Sequence, residues 1–213
     1  MDFTFIGEGI DAVVIDNVYT EDQVASIWKE LTYITDRSKL QPPDKTGSAA
    51  TDGVLLKNNK ALFLDEMYKD YKFSPIISNG LEKFRSKELN DKLIEHNPMY
   101  KCFRHLNGFS TLVSYYEDSD YYAPHKDFSV FTVLTYFFKE PKHFEGGQIT
   151  LFSENHEKKA EIEIMNNRSI IILSCTDHEV SEIRMKDKFT AYGGDGRYCI
   201  SHFCSAIDPR EMK

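Results

Sequence analysis

Apolar residues recur at helical spacing in two stretches of the first half of the chain. A capping-box pattern, formed by Thr20 and Gln23, precedes apolar residues spaced three or four apart, and it predicts an amphipathic helix over residues 21–34. Ser74 followed by Pro75 is typical of a helix start with proline at the first helical position, so a second helical region is expected to begin there.

Three shorter segments of the same half do not have helical spacing. The apolar run from Ala12 to Ile15 predicts a strand, and Leu62 to Leu64 predicts a short strand or turn. Gln41 to Gly53 contains two prolines and two glycines, so this segment is predicted to be a loop.

After Tyr100 the pattern changes to short runs rich in β-branched and aromatic residues, separated by glycine or asparagine turns. Strands are predicted over residues 110–116, 130–138, 148–152, 162–164, 169–173 and 197–204. Such a series is typical of a sandwich or barrel. We find no internal repeat or low-complexity linker, so we predict one domain over residues 1–213, with a helix-rich flank (1–99) and a β-rich core (100–207).

Composition and charge narrow the class of protein. The 213 residues are 41% hydrophobic and 28% charged, which is typical of a globular domain and argues against disorder. The formal net charge is −8, and a general nucleic-acid binder needs a basic surface for phosphates. We therefore expect no nucleic-acid partner.

The sequence gives no sign of export or of a membrane span. The first ten residues contain no basic side chain, and the longest nearly apolar run, residues 130–138, is too short to cross a bilayer. The four cysteines show no C-x-x-C spacing, so we expect reduced thiols and a cytoplasmic protein that does not bind membranes. A zinc site from Cys199, His202 and Cys204 is an alternative without a second ligand pair nearby.

One H-x-D pattern occurs in the chain, formed by His125 and Asp127. Residues i and i+2 of a strand share a face, so both side chains can reach one metal ion, and His178 is the best candidate for a third ligand. Two histidines and one carboxylate suit non-haem Fe(II). The rival H-x-E pair of His143 and Glu145 is followed by two glycines, which place it at a hairpin tip.

Arg197 follows the second candidate histidine on a predicted strand. An arginine fork can bind a carboxylate through two parallel hydrogen bonds, and Tyr136 and Tyr115 are candidates to add hydroxyl groups. A pocket with a metal at one end and Arg197 at the other suits a short dicarboxylate. The alternative for Arg197 is a surface salt bridge, worth about 0–1 kcal/mol.

Four segments containing these residues occur in a familiar order. Residues 115–127 are a tyrosine-rich lead into the H-x-D motif, and residues 144–152 form a phenylalanine and double-glycine hairpin pattern in which position 149 is isoleucine. Residues 167–173 are a buried-strand pattern that precedes His178, and Gly-Arg-Tyr at residues 196–198 begins the last strand. In this order they resemble the 2-oxoglutarate and Fe(II)-dependent dioxygenases, in the prolyl 4-hydroxylase-like branch.

The resemblance implies a fold and a set of ligands. The fold would be α+β but mainly β, with a double-stranded β-helix (a cupin-like jelly roll) as its core and supporting N-terminal helices. His125, Asp127 and His178 would bind Fe(II). Arg197, with Tyr136 and Tyr115, would bind the cosubstrate 2-oxoglutarate, and ascorbate is a candidate further cofactor.

The resemblance also implies a reaction, namely hydroxylation of an unactivated C–H bond with succinate and CO2 as coproducts. Peptidyl-proline is the first expected substrate, so a protein or peptide partner is expected. A free amino acid or another small molecule is the alternative substrate. A β-helix binding module without turnover is the alternative of a different class. The sequence does not indicate an oligomeric state.

One segment departs from the family pattern. The spacing from His178 to Arg197 is longer than is typical of the branch, and the insert at residues 182–196 is a candidate flap near the site. It contains Arg184, which is a competing anchor for the cosubstrate carboxylate. Four residues are expected to form an apolar pocket wall: Phe131, Leu134, Ile172 and Ile200.

Overall fold

The structure is a computed structural model that describes residues 1–7, 9–47, 50–51, 53–186 and 188–207. Its strands, in chain order, are β1 (Asp2–Ile6), β2 (Ala12–Asp16), β3 (Ala50–Thr51), β4 (Val54–Leu55), β5 (Lys60–Phe63), β6 (Gly108–Tyr116), β7 (Tyr122–His125), β8 (Phe131–Phe137), β9 (Phe144–Glu145), β10 (Ile149–Phe152), β11 (Lys159–Ile162), β12 (Arg168–Leu173), β13 (His178–Val180), β14 (Arg184–Met185) and β15 (Arg197–Ser205). The α-helices are α1 (Glu21–Ile34), α2 (Leu64–Met67), α3 (Pro75–Phe84) and α4 (Lys87–His96).

Two antiparallel sheets dominate the architecture. The major sheet has the strand order β1-β2-β12-β8-β15-β6-β5, and the minor sheet has the order β11-β10-β13-β7. One face of the major sheet packs on the minor sheet, where Leu134 and Ile170 share a core with Ile149 and Leu151. The prediction of a mainly β fold with supporting helices is confirmed.

The other face of the major sheet packs on the helices. Val133 and Ile171 belong to this second core, together with Ile27 and Leu31 of α1 and Leu93 of α4. Successive side chains of a strand point to opposite faces, so each central strand of the major sheet supplies both cores. This alternation decides which side chains of β6, β8 and β15 can reach a cavity between the sheets.

The helix predictions hold at their N-termini. Thr20 caps α1 and forms the predicted capping box with Gln23, and the Ser74 side chain caps α3 at Pro75. The second helical region is divided in two, because Ser86 caps a new helix, α4.

The flank also contributes strands. β2 is the predicted strand, whereas β1 was not predicted and pairs with β2 along its whole length. The predicted loop at residues 41–53 is wrong in part, since it contains a 3-10 turn (Pro43–Lys45) and the hairpin strand β3, which pairs with β4. Residues 48, 49 and 52 of this segment lie outside the described residues, as do residue 187 and residues 208–213.

Within the described ranges, no helix combines the length and the apolar character that a membrane crossing requires.

Candidate functional site

A cavity of about 640 Å³ opens between the two sheets. The major sheet contributes Tyr116, Tyr136 and Arg197 to its wall, and the minor sheet contributes Ile149 and Val180. Tyr136 and Arg197 are fully buried at its inner end. The cavity therefore extends from solvent to an arginine in the protein interior.

The predicted metal ligands meet in this cavity. His125 is the last residue of β7 and pairs directly with His178, the first residue of β13. Nε2 of His125 lies 4.0 Å from Oδ1 of Asp127, and Nε2 of His178 lies 3.7 Å from Oδ2. The donor atoms of the three residues all lie within 4.8 Å of one another, an arrangement that could hold one metal ion.

Backbone carbonyls orient both imidazole rings. Nδ1–H of His125 donates to the carbonyl oxygen of Ala123 at 2.9 Å, and Nδ1–H of His178 donates to that of Thr176 at 3.0 Å. Both Nε2 atoms are therefore left with lone pairs that face the cavity. Burial, with a further contribution from the nearby His178, lowers the pKa of His125 to about 3, which keeps this imidazole neutral and able to bind a metal.

Asp127 lies just beyond the end of β7, where its amide donates to the carbonyl oxygen of Ser174 at 2.9 Å. The Thr132 hydroxyl donates to Oδ2 of Asp127 at 2.6 Å and lies 2.9 Å from the Ser174 hydroxyl. Thr132 and Ser174 are fully buried and were not predicted. The only sequence signal for them was small hydroxyl residues on or beside apolar strands.

Arg197 has an unusual environment for a buried charge. Its side chain is 0% exposed, and Nε, Nη1 and Nη2 have no hydrogen-bond acceptor among the described residues. Its guanidinium carbon lies 4.7 Å from the ring centroid of Tyr116 and 4.8 Å from that of Tyr136. The Tyr136 hydroxyl also has no hydrogen-bond partner within the described ranges. Because a buried charge without an acceptor is costly, these groups fit an anionic ligand.

Gly147 leaves room for Arg197. Its φ of +76° lies in the left-handed region, and a Cβ atom built there would come within 2.9 Å of Cδ of Arg197 and would also collide with Ile183. The double glycine of the hairpin pattern therefore shapes the anion end of the cavity.

Tyr115 does not line the cavity, which corrects the prediction that its hydroxyl binds the cosubstrate. On β6, Ser114 and Tyr116 face the cavity, so Tyr115 faces the helices. The Tyr115 hydroxyl accepts hydrogen bonds from the amides of Gly194 (3.0 Å) and Gly196 (3.2 Å). Tyr116 occupies the position beside Arg197 that was expected for Tyr115.

The competing carboxylate anchor and the competing H-x-E metal pair do not form a site among the described residues. Arg184 lies in β14 at the surface, 3.6 Å from Glu182, and does not line the cavity. His143 and Glu145 are in no group of potential metal ligands within the described ranges, where His125, Asp127 and His178 are the one such group.

The residues of the alternative zinc site lie on opposite faces of β15. Cys199 lines the cavity, whereas Cys204 is buried on the helix side. His202 packs against Phe84 of α3 and lies 3.1 Å, through Nδ1, from the Thr111 hydroxyl.

Of the four residues expected in the apolar wall, only Leu134 lines the cavity. Phe131 and Ile200 belong to the helix-side core, and Ile172 is buried between the sheets without reaching the wall.

The insert at residues 182–196 lies outside the cavity wall. The Ser119 amide donates to the carbonyl of Ile183, and the Ile183 amide donates to that of Asp120. The Tyr192 amide donates to Glu117 at 2.6 Å. Among its described residues none lines the cavity, and Ile183 packs behind Gly147. These hydrogen bonds hold the insert against the turn between β6 and β7. Ile183 therefore covers the outer side of the hairpin at the inner end of the cavity.

Lys57 is a cavity-lining residue that the sequence analysis missed. Its ammonium group donates to the Thr46 carbonyl at 2.5 Å and to the Thr46 hydroxyl at 3.1 Å, and it lies 5.5 Å from the ring centroid of Tyr122. That ring stacks on His125 at 3.5 Å. Burial lowers the pKa of Lys57 to about 8.

Residues 111–203 match the family model of the 2OG-Fe(II) oxygenase superfamily. Among solved structures, a Pseudomonas putida prolyl-4-hydroxylase is 15% identical with a TM-score of 0.61, and the match covers 92% of this chain and 93% of that one. A Trichoplax adhaerens prolyl hydroxylase, solved with a hypoxia-inducible-factor peptide fragment, is 17% identical with a TM-score of 0.61, covering 91% and 83%.

A 2OG-Fe(II) oxygenase-family oxidoreductase from Burkholderia pseudomallei is 13% identical with a TM-score of 0.62, covering 92% of this chain and 86% of that one. No curated protein matches the sequence. At these identities the solved structures show the fold, and they confirm the predicted jelly roll. The matched segment 111–203 contains His125, Asp127, His178 and Arg197. The match of this segment confirms the predicted resemblance to the 2-oxoglutarate and Fe(II)-dependent oxygenases and the prediction of a dioxygenase.

Proposed function

We propose that this protein is an Fe(II)- and 2-oxoglutarate-dependent hydroxylase whose iron is bound by His125, Asp127 and His178. Arg197 binds the far carboxylate of 2-oxoglutarate, with Tyr136 and Tyr116 beside it. The observation that carries the proposal is the pairing, in one cavity, of a converging His-Asp-His group with a fully buried guanidinium that has no protein acceptor.

Bound Fe(II) and 2-oxoglutarate supply the activation of O2 and the hydroxylation of a C–H bond, with succinate and CO2 as coproducts. The protein residues position these groups. The carbonyls of Ala123 and Thr176 aim the two imidazoles, and the Thr132 hydroxyl fixes the Asp127 carboxylate. The two sheets exclude water from the inner end, where a charge-assisted pair with Arg197 is strongest.

Peptidyl-proline is our first substrate. One solved structure of the same fold is a prolyl hydroxylase with a peptide fragment. Exposed aromatic surface also adjoins the cavity: Phe128, which is 97% exposed, lines its wall with Leu112 and Phe203. Such a rim supports contact with a chain that extends beyond the reacting residue. A small acid is the second candidate, because Lys57 places a buried positive charge inside the cavity.

The reducing cytoplasm is part of this proposal. The four cysteines are free, and Cys102 and Cys175 are exposed without a disulfide partner. Residues 1–213 would act as one catalytic domain, and ascorbate would keep the iron reduced.

The direct test is mass spectrometry of a proline-rich peptide library incubated with the protein, Fe(II), ascorbate and 2-oxoglutarate. We expect one oxygen atom to be added to a proline, together with succinate. Succinate release without a modified peptide would move the substrate to a small molecule. Neither succinate release nor modification, in protein that binds Fe(II), would contradict an oxygenase and favour a binding module.

A further inference from the structure

Lys57 is a charged residue of the cavity that has no role in the proposed binding of Fe(II) or 2-oxoglutarate. It is 4% exposed and lines the cavity, and its ammonium group lies 5.5 Å from the ring centroid of Tyr122, which stacks on His125. Its two hydrogen-bond acceptors are both neutral oxygens of Thr46. An ammonium group has three N–H donors, so one donor remains available.

In the loaded site, every charged residue of the described cavity wall other than Lys57 would have a counter-charge. Lys126 lies 3.4 Å from Asp177, which also lies 3.0 Å from His156, so this pair at the wall compensates itself. In the loaded site, the two positive charges of Fe(II) and the one of Arg197 equal the negative charges of Asp127 and of the 2-oxoglutarate dianion. Lys57 is then the one uncompensated charge among the described residues of the wall.

Asp127 is the acidic group whose field acts on Lys57. A bound metal would take up the charge of this carboxylate, so Asp127 would no longer serve as a counter-charge for Lys57. A buried ammonium group without a counter-charge either loses its proton or gains an anionic partner, so an anion that binds at this point also keeps Lys57 charged.

The position of Lys57 fixes where that anion would bind. Lys57 lies over the face of Tyr122, whose ring stacks on His125, so the ammonium group is at the metal end of the cavity and not at the Arg197 end. Thr46, Ala50 and Leu56 line the same side, which comes from the segment around the β3–β4 hairpin.

We propose that Lys57 is a specificity-determining residue that binds a carboxylate of the primary substrate on the hairpin side of the cavity. This inference rests on the proposed function and narrows it to substrates that carry a carboxylate close to the oxidised carbon. The carboxylate could belong to a free amino acid, to the C-terminus of a peptide, or to an acidic side chain next to the reacting residue.

The test measures binding without turnover. The full chain, loaded with Fe(II) and saturating 2-oxoglutarate in the absence of O2, is titrated by calorimetry with three matched pairs of probes. The pairs are L-proline and L-prolinamide, a peptide ending in proline and its C-terminal amide, and a peptide containing Pro-Glu and its Pro-Gln counterpart. Saturating 2-oxoglutarate occupies Arg197, so that residue cannot produce a preference for acids.

We expect the wild-type protein to bind the acid of one pair about ten-fold or more tightly than the amide, as for a charge-assisted hydrogen bond. The pair that shows the preference identifies the source of the carboxylate. Lys57→Met should abolish the preference, and Lys57→Arg should keep most of it. If Lys57→Met does not fold, Lys57→Gln gives the same answer, since it keeps a donor to Thr46 without the charge.

Two controls separate the charge from a merely structural role. Thr46→Val removes one hydrogen bond to Lys57 but keeps its charge, and Lys126→Met removes another cavity-lining lysine. Both variants should keep the acid preference. An equal preference in Lys57→Met and wild type, or none for any pair in wild type, would overturn the inference.

Succinate release in air, measured on the same preparations, keeps the two proposals distinguishable. If succinate is released but no pair shows an acid preference, the role of Lys57 fails and the oxygenase stands. If the protein neither binds 2-oxoglutarate nor releases succinate, the proposed function fails, and the inference fails with it.

Discussion

The two ends of the cavity differ in whether the protein itself supplies hydrogen-bond partners for the functional side chains. At the metal end, His125, Asp127 and His178 each have a polar neighbour that fixes the side chain: the Ala123 carbonyl, the Thr132 hydroxyl and the Thr176 carbonyl. At the inner end, the nitrogens of Arg197 have no hydrogen-bond acceptor in the described chain, although its side chain is fully buried.

The difference shows which interactions each end leaves to its ligand. The metal end is oriented before any ligand arrives, so metal affinity should depend on the supporting residues as well as on the ligands themselves. The inner end stores an unsatisfied positive charge, so an anion should stabilise the protein when it binds there. Four experiments test this comparison, from the largest expected effect to the smallest.

His178→Ala removes one of the converging donors and should have the largest effect. We expect Fe(II)-dependent succinate release to fall below detection, because a two-ligand site no longer holds the metal in place. The measurement is succinate release with Fe(II) binding in parallel. His143→Ala is the matched control from the rival H-x-E pair and should retain activity. Undiminished turnover in His178→Ala would contradict the metal site.

Arg197→Met removes the unpaired charge and keeps only an unbranched apolar stem. The KM for 2-oxoglutarate should rise about a hundred-fold, as expected for the loss of charge-assisted hydrogen bonds. Without 2-oxoglutarate the variant should be at least as stable as wild type in thermal unfolding, because no buried pair is broken. Adding 2-oxoglutarate should raise the Tm of wild type only.

Arg184→Met provides the control for that experiment. Arg184 is exposed and lies near Glu182, so its loss should change neither the KM nor the stabilisation by 2-oxoglutarate. The opposite pattern would place the carboxylate anchor in the insert.

Thr132→Val deletes the hydroxyl that donates to Asp127 and tests the supporting residues of the metal end. Metal affinity should fall by about ten- to a hundred-fold, as is typical when a partner of a ligand is lost. Thr135→Val is the control on the same strand, since the Thr135 hydroxyl lies 2.6 Å from that of Ser169 and does not contact a ligand. Equal metal affinities in the two variants would show that Asp127 needs no such support.

Tyr116→Phe and Tyr115→Phe compare two neighbouring hydroxyls and should have the smallest effects. Tyr116→Phe should raise the KM for 2-oxoglutarate only several-fold, since Arg197 remains. Tyr115→Phe should leave the KM unchanged and lower the free energy of unfolding by about 1–3 kcal/mol, because the amides of Gly194 and Gly196 lose their acceptor. A raised KM in Tyr115→Phe alone would restore the original expectation.

The sequence could predict the site where the signal was local. His125 and Asp127 form one short motif, and His178 and Arg197 each adjoin an apolar strand whose pattern is unambiguous. The strands themselves followed from alternation and apolar runs, and α1 followed from its capping box.

Other parts depended on tertiary contacts that no local pattern records. Tyr115 and Tyr116 are adjacent tyrosines, and a register shifted by one residue exchanges their faces. Lys57 lies between the predicted loop at residues 41–53 and the short strand or turn predicted at 62–64, in a stretch for which no element was predicted. Its position in the cavity comes from packing on Tyr122, which is far away in sequence. β1 was missed because its strand character depends on pairing with β2.

The glycine at position 147 has a consequence for how this chain could diverge. Because a side chain there would occupy the space of the Arg197 stem and of Ile183, the hairpin and the last strand form one steric unit despite their separation in sequence. A homologue that replaces Gly147 should therefore also change the residue at position 197 or the contact at position 183. Paired substitutions of this kind, found in related sequences, would mark members of the fold that anchor a different cosubstrate.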